Sequence, residues 1–163
     1  MRCMLMIACF AAAIVVSAQT IPTASVPGPT KTTSWVKLVS PQEVSIPAGK
    51  AAIVELHFVI APKLHINSHT PSSETLIPTR LAVTEVPGLK IASVDFPAGE
   101  PFVFPIDPTT KLDVYTGEFV LKAHVIAQPG SHLLQGVLHY QACDNAACYP
   151  PKTLPLAVSL VAR

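Results

Sequence analysis

Seventeen prolines in 163 residues constrain this chain more than any other feature. A proline ring fixes φ and removes a backbone donor, so helix interiors and central strand positions reject it. The prolines break most windows long enough for a helix, and no window of twelve residues carries a convincing helical stripe. What survives between them is alternation with period two. In residues 51–60, Val54, Leu56, Phe58 and Ile60 share one face, while Ile53, Glu55, His57 and Val59 share the other. Phe119, Leu121, Ala123 and Val125 alternate with Val120, Lys122, His124 and Ile126. Leu134, Leu138 and Tyr140 alternate with Leu133, Gln135, Val137 and His139, and Leu154, Leu156, Val158 and Leu160 share a face near the end. Each pattern is that of a half-buried strand. Turn signals separate the strands at Pro47-Ala48-Gly49, Pro87-Gly88, Pro97-Ala98-Gly99 and Gln128-Pro129-Gly130. Short strands at such spacing predict an all-β fold, an antiparallel β-sandwich of immunoglobulin-like type. The strand order stays open.

The first eighteen residues read as an export signal. Arg2 supplies a positive start, Met4 to Val16 an apolar run, and Val16-Ser17-Ala18 the small residues of a cleavage site. Cleavage is expected after Ala18. The run is shorter than the roughly 20 residues a membrane span needs. A lipoprotein reading around Cys9 would leave almost no hydrophobic segment ahead of that cysteine. Residues 19–34 are rich in Pro, Thr and Ser and read as a flexible leader. Residues 35–163 are expected to form one domain, long enough to bury a sizeable core. No later stretch is apolar enough to cross a membrane, so an exported, soluble mature chain is expected.

Arg2 is the one charged residue of the signal, and its removal takes the 11 Lys plus Arg to ten, against 10 Asp plus Glu. A chain near zero charge lacks the basic surface that nucleic acid requires. Met1, Met4 and Met6 are the only methionines and all lie in the signal. A copper(I) carrier built on thioethers has no ligands here.

Cys3 and Cys9 also fall in the signal, which leaves Cys143 and Cys148 as a lone pair five positions apart. They flank a hairpin-like turn, and their side chains can meet if the Cα atoms approach to roughly 4.4–6.8 Å. Two readings stand side by side. A structural clip over so short a loop restrains the unfolded chain by only about 2 kcal/mol. A redox pair would open and close by exchange. Metal handling is a third reading, with His139 near and His65 and His69 four apart on what reads as a loop; structural zinc normally asks for a second close Cys or His pair. A thioredoxin-type pair opens a helix whose N-terminus activates the thiolate. Here four residues separate the cysteines, and Tyr149-Pro150-Pro151 favours extended backbone. Any reactivity must come from the turn, from local polar groups such as Asp144, or from the partner. A thiol of ordinary pKa still exchanges well, because nucleophilicity falls as pKa falls.

Tyr140-Gln141-Ala142-Cys143 followed by Cys148-Tyr149-Pro150-Pro151-Lys152-Thr153 resembles the N-terminal periplasmic domain family of the thiol:disulfide interchange protein DsbD. Leu64-His65-Ile66-Asn67-Ser68-His69-Thr70-Pro71, Leu76-Ile77-Pro78-Thr79 and Leu112-Asp113-Val114-Tyr115 are similar to segments of the same group. The resemblance covers roughly residues 35–162. It implies an immunoglobulin-like fold in the periplasm; no bound cofactor or metal is expected. It also implies a dithiol that takes electrons from a membrane-embedded thiol reductase and passes them to periplasmic thioredoxin-fold proteins. Cys148 would be the attacking thiolate and Cys143 the resolving one. Complete members continue into a membrane domain and a thioredoxin domain; with this sequence ending at Arg163, those are expected as separate proteins. The family also has a cap loop with an aromatic over the cysteines. The corresponding stretch is about Glu100 to Thr110, with Phe102, Phe104 and Ile106, and it lacks the acidic-acidic-aromatic pattern. Phe104 is taken as the candidate cover, against an ordinary buried strand residue.

Tyr140 and Tyr149 flank the pair, either to shield the sulfurs and donate hydrogen bonds or simply to pack. Asp144 is a candidate proton acceptor or a turn residue bonded to its own backbone. His57, His124 and His139 are expected to face solvent. Nothing reads as a Ser-His-Asp nucleophile, a hydrolase carboxylate pair or a phosphate loop. The rival to exchange is an exported binding module with a static disulfide.

Overall fold

The computed structural model describes residues 34–163 apart from 42, 106, 107 and 110. The export signal, nearly all of the leader, and Ile106 lie outside the described residues. No helix is assigned among those described, and none is long and apolar enough to cross a membrane.

Twelve strands are assigned among the described residues: β1 (Val36–Leu38), β2 (Glu43–Ile46), β3 (Ala51–Ile60), β4 (His65–Asn67), β5 (Arg80–Val83), β6 (Leu89–Asp95), β7 (Glu100–Val103), β8 (Lys111–Thr116), β9 (Glu118–Ala127), β10 (Gly130–Tyr140), β11 (Ala142–Cys143) and β12 (Lys152–Ala162). They form three four-stranded sheets, in the orders β1-β3-β9-β6, β2-β12-β10-β5 and β11-β4-β8-β7. Pairing is antiparallel except for β2 beside β12, which is parallel from Ser159↔Glu43 to Ala162↔Ile46.

The alternating faces become the core. Val54, Leu56, Phe58 and Ile60 of β3 and Phe119, Leu121, Ala123 and Val125 of β9 are all buried. They pack in one cluster with Leu134, Leu138 and Tyr140 of β10 and Leu156, Val158 and Leu160 of β12. The first two sheets are therefore the two layers of a sandwich, each giving its apolar face to the other. Phe58 and Phe119 stack at 5.0 Å between ring centroids, and Tyr115 stacks on Phe119 at 4.9 Å. The opposite faces are wet. His57 lies 3.5 Å from the Glu55 carboxylate, and His124 Nε2 lies 2.7 Å from Asp95 Oδ2.

Two backbone devices explain how so many prolines fit. Pro155 lies in β12 opposite Val137, in a stretch where β2 has not yet joined the other side. Its missing N–H falls on a free edge, where it costs no ladder bond. At the 87–88 turn Gly88 has φ +79, and a Cβ there would sit 2.9 Å from the His132 ring. A side chain would be strained and crowded, so glycine is required.

The third sheet carries the cysteines. It leaves the sandwich through the turn Ala61–Leu64, closed by the Leu64 amide donating to the Ala61 carbonyl at 3.2 Å. Pro62 precedes Lys63, whose φ is +67, the arrangement of a type II turn with a non-glycine residue in the left-handed position. The turn delivers β4 between β8 and β11.

Candidate functional site

Cys143 and Cys148 are joined by a disulfide, with S–S 2.02 Å and Cα atoms 3.9 Å apart. The Cα separation is shorter than the expected span, because the two residues face each other directly as an isolated antiparallel bridge. Their surroundings differ. Cys143 ends β11 and is 0% exposed, while Cys148 is solvent-exposed.

Asp144 organises the turn between them. Its backbone amide donates to the Ala147 carbonyl at 2.9 Å. Its Oδ1 accepts from the amides of Ala146 and Ala147 at 2.7 and 2.8 Å, and its Oδ2 accepts from the Tyr149 hydroxyl at 2.5 Å. A carboxylate satisfied in this way is held below the usual carboxylate range, first by the Tyr149 hydrogen bond and then by the two amides. The same bond raises Tyr149 above the ordinary phenol value. The Tyr149 ring packs on Trp35 at 4.8 Å, and Lys152 Nζ lies 3.6 Å from the Trp35 ring centroid on its face. Tyr149 is thus a hydrogen-bond donor to the turn. Tyr140 is different: it is 1% exposed, packs in the core cluster, and its hydroxyl has no partner among the described residues.

A buried polar chain fixes the turn to β4. Asn67 Nδ2 donates to the Ile77 carbonyl at 2.9 Å and to Gln141 Oε1 at 3.3 Å. Gln141 Nε2 donates to the Tyr149 carbonyl at 3.1 Å, and the Tyr149 amide to the Ala142 carbonyl at 2.9 Å. Thr79 Oγ1 donates to the Asn67 carbonyl at 2.6 Å. Most of these bonds use a side chain and are partly buried, and the Thr79–Asn67 bond is fully buried, so a lost partner is costly.

β4 pairs with β11 in the register Ala142↔Ile66 and Cys143↔His65. His65 is therefore the cross-strand neighbour of the buried cysteine. It is 3% exposed, its Nε2 has no partner among the described residues, and its ring lies 4.2 Å from that of Phe102. Burial lowers its pKa, partly opposed by the Asp144 charge. The expectation that His65 sits on a loop is corrected here, since it opens β4 and is buried. All three residues of β4 are buried, so the segment shows no alternation that could mark it as a strand.

His69 follows β4 and points elsewhere. Its ring stacks on Phe96 at 3.9 Å and its Nδ1 donates to the Thr79 carbonyl at 3.0 Å. Its amide donates to the Tyr115 hydroxyl at 3.0 Å, which in turn donates to the Pro97 carbonyl at 2.9 Å. Among the described residues no group of three or more His, Cys, Asp or Glu side chains is placed to hold a metal. Phe104 lies just past β7 and is half-buried. The aromatic that reaches the residue opposite Cys143 is Phe102, two positions earlier on β7. A groove of about 410 Å³ opens beside the turn, lined by His65, Phe102, Lys63, Thr116 and Asn145 among others.

The cysteines, Asp144 and Tyr149, singled out from the sequence, lie together in one turn. Sequence reasoning missed His65 as a buried neighbour, the Asn67–Gln141 tie, and the Trp35–Lys152 flank. The quoted segments around His65 and Gln141 carried a signal as motif, but nothing in them told which side chains turn inward.

The family model described as thiol:disulfide interchange protein DsbD, N-terminal, matches residues 35–159. No curated protein sequence matches. Among solved structures the chain is similar to the DsbD N-terminal domain of Neisseria meningitidis in the reduced form. That match has 20% identity and a TM-score of 0.44, covering 64% of this chain and 74% of that one. It is also similar in fold to the N-terminal periplasmic domain of ScsB from Proteus mirabilis. Here the identity is 15% and the TM-score 0.51, over 76% of this chain and 44% of that one. The all-β sandwich, the cysteine pair in its motif and the match over most of the sequence converge: the chain belongs to the family of DsbD N-terminal domains.

Proposed function

We propose that this protein is an exported thiol–disulfide exchange domain that works in the periplasm through Cys143 and Cys148. The observation that carries the reading is the unequal exposure of the two cysteines, Cys143 buried and Cys148 open to solvent. In the reduced state the Cys148 thiolate attacks a sulfur of a partner disulfide. A mixed disulfide forms and the partner's other sulfur leaves as a thiolate. Cys143 then attacks Cys148 Sγ, the Cys143–Cys148 disulfide forms, and the partner departs as a dithiol. Two electrons pass to the partner, and no bound cofactor takes part. The acceptors are periplasmic thioredoxin-fold proteins, and the donor that re-reduces the pair is a membrane-embedded thiol reductase. Family membership supports this class of chemistry.

The test is a trapping experiment. Reduced Cys143→Ala protein is mixed with an oxidised periplasmic thioredoxin-fold protein and resolved without reductant. A mixed disulfide through Cys148 is expected, and none from Cys148→Ala. Trapping through Cys143 alone would reverse the assignment of roles.

A further inference from the structure

Resolution of the mixed disulfide poses a problem that the cysteines alone do not solve. Once Cys148 is bonded to a partner, Cys143 must lose its proton to attack. Cys143 is 0% exposed, and burial in apolar surroundings favours the neutral thiol. No helix is assigned among the described residues to supply a helix N-terminus. The proton must go to a nearby group inside the protein.

We propose that His65 Nε2 is the proton acceptor for the Cys143 thiol in the resolving step, and the proton donor to that sulfur when the disulfide is reopened. The inference rests on the exchange reading above and adds a residue to it. Directly opposed residues of an antiparallel pair project from the same face, with Cβ atoms about 4.5–5.5 Å apart. Cys143↔His65 is such a pair. Its register is fixed by the Asn67 amide donating to the Gln141 carbonyl at 3.3 Å, a bond independent of the sulfurs. A buried imidazole nitrogen without a partner is uncommon and invites a functional explanation. His65 Nε2 is one, in a residue 3% exposed. The Phe102 ring against the imidazole holds it in place and keeps water away from that face.

Burial sets the direction of the His65 titration, and the Asp144 charge opposes it. Asp144, beyond β11, favours the imidazolium, and its own carboxylate stays ionised through its three hydrogen bonds. Lys63 lies two residues ahead of it on the groove wall, and Glu100 of β7 accepts from Thr116 Oγ1 at 3.0 Å, Thr116 being the β8 partner of His65. Tyr149 donates to Asp144 and stays neutral. At neutral pH the imidazole is uncharged and ready to accept. The proton moves from Cys143 Sγ to His65 Nε2; the thiolate attacks Cys148 Sγ; the electron pair of the broken bond leaves with the partner's sulfur. The imidazolium then gives its proton to solvent.

The probe is a symmetrical nitrobenzoate disulfide, which releases one coloured thiolate when Cys148 attacks and a second when Cys143 resolves. Cys143→Ala protein gives the first release alone and calibrates it. In the reduced protein with Cys3→Ala and Cys9→Ala, a background shared by every variant, the second release is expected to level off above about pH 6.5, the ordinary histidine value. In His65→Gln it is expected to be slower at pH 7 by on the order of 10²-fold. It should also rise about tenfold per pH unit up to pH 8, as free ionisation of a thiol requires. The first release should be the same in both proteins. An equal second release in His65→Gln overturns the role of His65 while leaving exchange intact. Absence of any first release from wild type overturns exchange itself. If His65→Gln does not fold, the wild-type profile decides: a tenfold rise per pH unit from pH 6.5 to 8 overturns the proposal, and a plateau supports it.

Discussion

Asp144 follows Cys143 in the chain and His65 is its cross-strand partner, and they answer acid differently. Asp144 ionises more readily in the folded chain than in the unfolded one. Its contribution to stability is complete above the unfolded carboxylate value, about 3.9, and is lost as pH falls through the lower folded value. His65 resists protonation when folded. The unfolded chain therefore binds that proton first, and stability falls as pH drops below the unfolded histidine value, about 6.5. Acidification of the oxidised protein is expected to lower the unfolding midpoint in two windows, one opening near pH 6.5 and one near pH 4. Thermal unfolding across pH 3–8 checks this. His65→Gln should remove the upper window and Asp144→Ala the lower. A single window in wild type, unchanged by either substitution, would contradict the account.

Among the elements, β4 does more for the site than its three residues suggest. It pairs with β8 on one side and β11 on the other, and Asn67 ties it to Ile77 and Gln141. Asn67→Ala would leave the Ile77 carbonyl and the Gln141 side chain short of a partner in a partly buried place. The expected loss is about 1–3 kcal/mol by urea denaturation, with an unchanged slope. A loss below about 0.5 kcal/mol would show that the tie is decorative. The long strands β3, β9, β10 and β12 were legible because each buries one face and wets the other, so a period of two is written into them. β4 was not, because both its faces are covered. β5, β7 and β8 were not, being short and broken by Pro101 or, in β8, by two consecutive buried residues, Val114 and Tyr115. The parallel β2–β12 pair leaves no mark in either strand, since register is a property of the pair. The cysteine turn was legible from its motif, and Asp144 from turn chemistry. Phe102 was passed over for Phe104 because two aromatics two apart point to the same face in a strand, and sequence cannot say which one meets a ring.

At the scale of the molecule, the sheet that carries the sulfurs joins the two-layer core through Ile66, Tyr115 and Ala142. Buried side chains of β3, β9, β10 and β12 make one cluster to which Cys143 does not belong. The disulfide closes a loop with a sequence separation of only 5. Cutting it frees little chain entropy, about 2 kcal/mol in the loop model. The reduced protein is therefore expected to stay folded, with β-rich circular dichroism and an unfolding free energy in urea lowered by no more than that amount. Global unfolding on reduction would mean that the pair is a structural staple. The fold thus allows the pair to open without losing the sandwich, which an exchange domain needs.

The reduction potential of the Cys143–Cys148 couple, measured against glutathione or dithiothreitol redox buffers, bears most directly on reversible exchange. The account predicts a value more oxidising than about −300 mV, within reach of a thiol-exchange partner. A value below about −300 mV, where structural disulfides resist reduction, would contradict it and leave an exported sandwich with a permanent clip.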